Sequence, residues 1–134
     1  VISKNKGDIA ELKVMLYLEQ KGFTVLTPFG DKARYDVVYE RDGIFKRVQV
    51  KYVTMKDGII EVYTESTNEK DGKRICKYYT SKEIDEFWIY CPQTDKLYSI
   101  PILDVERQRS LRLRVDKPKK EVNTIRYADD YELQ

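Results

Sequence analysis

Asp36, Gln49 and Lys51 are the residues of this chain whose types and spacing point to chemistry. The stretch that carries them, YDVVYERDGIFKRVQVKY at 35–52, reads as two strands joined by Asp42-Gly43. A two-residue Asp-Gly turn sets the register. It places Arg41 opposite Ile44, Glu40 opposite Phe45 and Asp36 opposite Gln49, and residues opposite one another share a face. Period-2 alternation adds Arg47 and Lys51 to the Gln49 side and turns Val48, Val50 and Tyr52 the other way, with Val37 and Tyr39. Asp36, Gln49 and Lys51 are all costly to bury, and they converge at the end of the hairpin away from its turn. A carboxylate, an acyl oxygen and a lysine are what Mg2+-dependent phosphodiester hydrolysis needs. Magnesium takes oxygen ligands in an octahedral shell, keeps several waters, and binds through one or two carboxylates plus substrate phosphate oxygens. In that chemistry Asp36 supplies charge and Gln49 offers a neutral carbonyl oxygen. Lys51 orients or deprotonates the attacking water and stabilises charge developing on the phosphate. The plainer reading of the same residues is an Asp36–Lys51 ion pair on a solvated sheet face.

A second carboxylate is desirable beside a neutral Gln49, and the first element of the chain supplies a candidate. Residues from about Ser3 to Lys21 predict a helix, with good helix formers throughout and Gly22 where a left-handed C-terminal cap belongs. On a helical wheel, Ile9, Ala10, Leu12, Val14, Met15, Leu16 and Leu18 leave a narrow polar stripe around Lys6, Lys13 and Gln20, so the helix is expected to be buried on most sides. Glu11 lies about 160° from Lys13, flanked by Met15 and Leu18, which puts a carboxylate on an apolar side. Such a group needs a cation, a metal or a donor nearby.

The other elements follow from pattern and turn signals. FTVLTPF at 23–29 reads as a strand and GDKAR as a polar loop; GIIEVYTES after the Asp57-Gly58 turn reads as a further strand. TNEKDGK at 67–73 reads as a flexible surface loop. In TSKEIDEFWIYCP, Thr80 or Ser81 serves as N-cap of a short helix running into a buried strand, with DKLYSIPI as that strand's hairpin partner. LDVERQRSL at 103–111 reads as a short helix, and the tail from Lys117 carries no firm pattern.

Bulk composition narrows the class. With 134 residues, 41% hydrophobic and 36% charged, the chain fits one globular domain over 1–134. No stretch approaches the roughly 20 apolar residues of a membrane span, and no leader segment is visible, so an intracellular, cytoplasmic location without membrane attachment is expected. Cys76 and Cys91 lack metal-ligand spacing and read as two buried thiols. There is no histidine. That removes Ser-His-Asp and Cys-His catalysis, His-ligated zinc and any nuclease relying on a His base. The net charge is +2, yet residues 103–126 hold eight basic side chains against four acidic ones, a patch suited to a polyanion. Most of the eleven tyrosines alternate with aliphatics (Tyr39, Tyr52, Tyr63, Tyr90, Tyr98) and read as sheet packing rather than base stacking.

The succession of a helix with Glu11, Tyr35-Asp36, a gap of twelve residues and Gln49-Val50-Lys51 resembles the PD-(D/E)XK nuclease superfamily, which holds restriction endonucleases, archaeal Holliday-junction resolvases and a few homing endonucleases. It departs from the usual motif with Tyr35 for proline and Gln49 for the second acid. The whole chain, including EFWIYCPQTDKLYSIP at 86–101, resembles the PD-(D/E)XK homing endonucleases encoded in bacterial (cyanobacterial) group I introns. The resemblance implies an α/β fold with a restriction-endonuclease-like core, a mixed β-sheet with flanking helices. It implies Glu11, Asp36, Gln49 and Lys51 as active-site residues, and Asp36, Glu11, Gln49 and the Val50 main-chain carbonyl around Mg2+, with Mn2+ or Ca2+ as substitutes in crystals. It also implies a nucleoid-associated homotetramer, in which two subunits cut the two strands of a long specific site in the intronless copy of a host gene.

Double-stranded DNA is the expected partner. A double-strand break at a near-palindrome asks for at least a two-fold pair of subunits. Lys32, Arg34, Lys117, Lys119 and Lys120 are candidates for phosphate contacts, and the Lys70–Arg74 loop or the 107–114 segment for base readout. Three other readings remain: a junction resolvase that reads shape, a DNA-binding module whose site has decayed at Gln49, and an oligomeric scaffold without nucleic-acid affinity.

Overall fold

The computed structural model describes residues 1–122 and 124–134. A 3-10 turn at Ser3–Asn5 opens into helix α1, Lys6–Gln20. Its end is the one expected: Gly22 has φ +83°, its N–H donates to the Glu19 carbonyl, and the Phe23 N–H donates to the Leu18 carbonyl. Ten strands follow: β1 Thr24–Leu26, β2 Val37–Arg41, β3 Ile44–Tyr52, β4 Ile59–Tyr63, β5 Glu65–Lys70, β6 Lys73–Tyr78, β7 Glu86–Cys91, β8 Lys96–Pro101, β9 Ser110–Arg114 and β10 Arg126–Tyr127. Among the described residues no helix is long and apolar enough to cross a membrane.

The main sheet has the order β1-β2-β3-β7-β8, antiparallel except for the parallel β3–β7 pair. Strand β7 is buried on both faces, and its alternation sorts the core into two layers. Trp88 and Tyr90 join Val37, Val48 and Val50 under Ala10, Val14 and Leu18 of α1. Phe87, Ile89 and Cys91 face the other way, against Ile60, Val62, Leu111 and Leu113 of a small second sheet ordered β10-β9-β4. The fold is thus helix, mixed sheet, small sheet, with β5 and β6 left over as a two-stranded ribbon. Hydrophobic burial drives this layering, since β7 carries apolar rows on both faces and needs a layer packed against each.

Several expectations are corrected here. Helix α1 is not buried on most sides: Leu12 is 62% and Leu16 55% exposed, because only the Ala10–Val14–Leu18 row meets the sheet. Residues 67–73 are not a loop but the core of the β5–β6 hairpin, closed by Asp71 and Gly72 with φ of +54° and +72°, the two positive values a type I′ turn requires. The short helix after Thr80 is a single turn, in which the Thr80 carbonyl accepts from the Glu83 and Ile84 N–H groups. Arg47 prevents its extension, for its guanidinium donates to the Ser81 and Lys82 carbonyls and clasps Asp85. The helix expected at 103–111 is a 3-10 turn at Ile102–Asp104 followed by β9, where Leu111 and Leu113 pair opposite Val62 and Ile60. Cys91 is buried but Cys76 is exposed on β6. Tyr39, Tyr52, Tyr90 and Tyr98 pack in the two cores as expected, whereas Tyr63 is 60% exposed.

Candidate active site

The β2–β3 hairpin has the register expected from Asp42-Gly43, running from Arg41–Ile44 to Val37–Val48. Beyond that last pair β2 stops while β3 continues to Tyr52, so β3 has an open edge opposite residues 49–52. Asp36 fills the start of this edge. Its N–H donates to the Val48 carbonyl at 2.8 Å, and its Oδ2 accepts the Val50 N–H at 2.9 Å. The N–H and C=O of one strand residue point to the same side, so the Val50 carbonyl also opens toward Asp36.

Gln49 and Lys51 pair with Phe87 and Ile89 and share their face, while Val48 and Val50 face the helix. Asp36, lying in the sheet plane past the end of its own strand, is reached from both sides. From the helix side comes Glu11, which with Met15, Tyr35 and Asp36 lines a cleft of about 430 Å3 closed by the Thr27–Asp31 loop. From the other side comes Lys51, half-buried near the rings of Tyr79 and Phe87, with 5.7 and 5.8 Å from Nζ to the ring centroids. A larger hollow of about 650 Å3 includes Lys51, Lys56, Glu61 and Arg112 but neither Glu11 nor Asp36.

The charges are arranged at a cost. Burial pushes the Asp36 carboxyl above its usual range, opposed by the Val50 N–H and by Lys51. Glu11 is raised as well, by burial first and then by Asp36 and Asp8. Burial lowers Lys51, with Asp36 opposing and Arg34 reinforcing the shift. Neither Asp36, Glu11 nor Lys51 has an ion-pair partner within 4.0 Å among the described residues. Two mutually repelling carboxylates beside an outward carbonyl form a hole for a hard cation. No group of three His, Cys, Asp or Glu gathers among the described residues, and a cation held here would have two carboxylates, Glu11 and Asp36, with neutral oxygens beside them. That fits magnesium, which keeps several waters, better than zinc, which prefers nitrogen and sulfur.

The pH dependence follows. Both carboxyls must ionise to hold a cation, and both titrate above their ordinary values, so metal affinity is expected to fall as pH drops through those raised values, where exposed carboxylates are still charged. Calorimetric titration with Mg2+ from neutral pH down through the ordinary carboxylate range measures this; an affinity flat over the whole span would remove the two carboxylates from the metal shell.

The expected phosphate contacts divide. Lys32, Lys117, Lys119 and Lys120 are exposed and in no ion pair among the described residues. Arg34 reads differently from the expectation. Its Nη1 donates to the Tyr78 carbonyl (2.7 Å) and Glu83 (2.9 Å), its Nη2 to Ser66 Oγ (2.6 Å) and the Lys77 carbonyl (3.2 Å), and the guanidinium lies 3.7 Å over the Tyr79 ring. With both terminal nitrogens occupied, Arg34 is a clamp between the ribbon and the site, not a phosphate contact. Sequence reasoning missed this because no local pattern connects Arg34 to residues 66–83. The 103–126 patch is also partly internal, since Arg112 pairs with Glu61 at 2.7 Å and Arg126 donates to the Tyr131 hydroxyl.

A hairpin that ends on a carboxylate, continues into a lysine and lies under a helix carrying a glutamate is the frame of a nuclease that works with a divalent metal. The chain belongs to the PD-(D/E)XK endonuclease family, whose pattern matches residues 1–134. It is also similar to a solved structure, the bacterial homing endonuclease I-Ssp6803I, at 26% identity and a TM-score of 0.80, covering 98% of this chain and 89% of that one. Comparison with curated proteins returns no match. The protein is therefore an endonuclease with mixed β-sheets and a covering helix, of a family that uses divalent metal and acts on DNA.

Proposed function

We propose that this nuclease is a site-specific homing endonuclease that makes Mg2+-dependent double-strand breaks in a long DNA target, the intronless copy of a host gene. The observation that carries the reading is the meeting of Glu11, Asp36 and Lys51 at the open edge of β3; the likeness to a homing endonuclease over nearly the whole chain supports it. Asp36, Glu11 and the Val50 carbonyl would hold the ion, and Gln49 would add a neutral oxygen. When bound, magnesium supplies Lewis acidity toward a phosphate oxygen and toward water. Lys51 orients the attacking water and takes its proton, a role suited to an amine whose pKa burial has lowered. Lys32 and the 117–120 lysines fix the phosphate backbone, and a single-domain chain with one such site cuts one strand. A homotetramer with two working subunits supplies the second cut, and the exposed Leu12 and Leu16 row of α1 is a surface that assembly can cover.

The test offers a long randomised linear duplex library and a synthetic four-way junction, each with Mg2+ or EDTA. Sequence-selective double-strand cutting of the linear library in Mg2+ alone supports the proposal; cutting of the junction alone moves it to a resolvase, and metal-independent binding without cutting moves it to a DNA-binding module. Gln49→Glu probes the unusual ligand. A second full charge tightens a two-carboxylate site, so the Mg2+ concentration giving half-maximal rate should fall by about tenfold or more. A folded variant with unchanged Mg2+ dependence would remove Gln49 from the metal shell.

A further inference from the structure

The β5–β6 ribbon belongs to neither core. Every residue of β6 and the outer four of β5 are exposed, and the hairpin pairs only with itself. An isolated two-stranded hairpin is marginal in water, so its root contacts and its type I′ turn are what hold it. Its register separates the side chains into two unlike faces. Ser66, Asn68 and Lys70 share one face with their partners Lys77, Ile75 and Lys73: three lysines and no acid. The opposite face pairs Glu65 with Tyr78, Thr67 with Cys76 and Glu69 with Arg74, which places both acids there.

The two faces also root differently. The lysine face roots on the active site: Arg34 donates to Ser66 Oγ at 2.6 Å, Lys77 pairs with Glu83 at 3.3 Å, and the Arg34 guanidinium lies 3.7 Å over the ring of Tyr79, whose centroid is 5.7 Å from Lys51 Nζ. The acidic face roots just before β9, where the Arg109 carbonyl accepts the Thr64 N–H at 2.8 Å and the Arg109 side chain lies beside Tyr78 and Glu65. Lys77 and Ser66 are thereby held in place, while Asn68, Lys70, Lys73 and Ile75 have no side-chain partner among the described residues.

Resting on the nuclease reading above, we propose that the β5–β6 ribbon is the base-reading element, entering the DNA major groove with its Asn68–Lys70–Lys73–Ile75 face. The groove is about 12 Å wide and admits a two-stranded ribbon. The side-chain set matches its donor and acceptor code. Asn68 suits the N6 and N7 of adenine, the two lysines suit guanine O6 and N7 or flanking phosphates, and Ile75 suits a thymine methyl. From the root at Ser66 to the tip at Lys70 is four residues, about 13 Å of strand. The bases read therefore lie on the order of four base-pair steps from the root, away from the scissile phosphate. Arg34 ties reader to cutter: its guanidinium holds the ribbon root on one side and faces Lys51 on the other.

The decisive experiment compares the intact protein with a lysine-face variant (Asn68→Ala, Lys70→Ala, Lys73→Ala, Ile75→Ala) and an opposite-face variant (Thr67→Ala, Arg74→Ala), each checked for an unchanged thermal transition. Two readouts are taken: the sequences selected by cleavage from a randomised duplex library, and, independently of cutting, metal-free affinity as a function of salt for the duplex that the wild type selects by binding from the same library. The lysine-face variant should lose base preference in a block displaced from the cut, bind the selected duplex at least about tenfold more weakly, and show a salt slope shallower by up to about two. The opposite-face variant should keep the wild-type preference. Identical preference and affinity in the lysine-face variant, or loss confined to the opposite-face variant, overturns the proposal. Should the wild type bind DNA without cutting it, the nuclease assignment fails while the affinity comparison still decides the ribbon.

Discussion

Asp36→Asn should lose cleavage by roughly a thousandfold or more while melting at a higher temperature than the wild type. The catalytic half of this expectation rests on charge. Asn keeps an oxygen to accept the Val50 N–H but removes the one carboxylate that lies in the sheet plane between Glu11 and Lys51, and a metal's stabilisation of a phosphoryl transition state is worth several kcal/mol, about tenfold in rate for each 1.4. The stability half rests on linkage. The folded Asp36 titrates above its ordinary 3.8, so the folded chain binds the proton more tightly than the unfolded one. Its favourable contribution is fully present below pH 3.8 and lost as pH rises through the raised value, leaving a charged group that burial disfavours at pH 7. Removing that charge should gain about 1 kcal/mol at pH 7 and nothing below the ordinary carboxylate pKa, as for other active-site charges that are held against stability. Single-turnover cleavage and urea titrations at two pH values measure both halves. Cleavage at the wild-type rate would remove Asp36 from the site, and a variant less stable than the wild type at pH 7 would show that the carboxylate is a structural partner instead.

What the sequence disclosed about this site, and what it hid, divides by the range of the interaction. Asp42-Gly43 sits between strands that alternate apolar and polar, so both turn and register were legible, and with them the shared face of Gln49 and Lys51; Asp36, expected on that face, lies instead in the sheet plane past the last β2–β3 pair. Asp71-Gly72 is the same turn with the same pair of positive φ values, yet its flanks are polar on both faces, and a strand with no apolar row has no period to read. The segment SLRLR carried the alternation of Leu111 and Leu113 in plain view; the helix read over 103–111 ran into its first two residues on composition and overlooked that period of two. Glu11 was legible as a carboxylate on an apolar side, although the helix turned out to bury one row and leave Leu12 and Leu16 bare, because a single sheet covers a single face. The parallel β3–β7 pairing, which sets Phe87 and Ile89 beside Gln49 and Lys51, and the grip of Arg34 on residues 66–83, join segments dozens of residues apart. No local pattern encodes them.

Lys51→Met should abolish cleavage by about a hundredfold to ten-thousandfold, the usual weight of a positioned proton-transfer group, and Lys51→Arg should fail to restore it. The pairing of variants matters because the two roles of a lysine separate in arginine. An ammonium that only stabilises phosphate charge is replaced in part by a guanidinium, whereas a base is not, since arginine stays protonated at any pH the protein survives. Burial against Tyr79 and Phe87, with Arg34 adding its own charge, lowers the Lys51 pKa and raises the neutral fraction that can accept a proton. Cleavage should therefore climb with pH toward that lowered value, on top of the carboxylate limb at lower pH. Stability moves in the direction that linkage dictates. The folded pKa lies below the unfolded 10.5, so the contribution of this residue is present above 10.5 and lost as pH falls through the folded value. At neutral pH the methionine variant should then be the more stable protein by about 1 kcal/mol, and the gap should close in strongly alkaline solution. Substantial rescue by arginine would recast Lys51 as a charge stabiliser. Wild-type activity in the methionine variant would remove Lys51 from the reaction and leave activation of the water to the groups around Glu11 and Asp36.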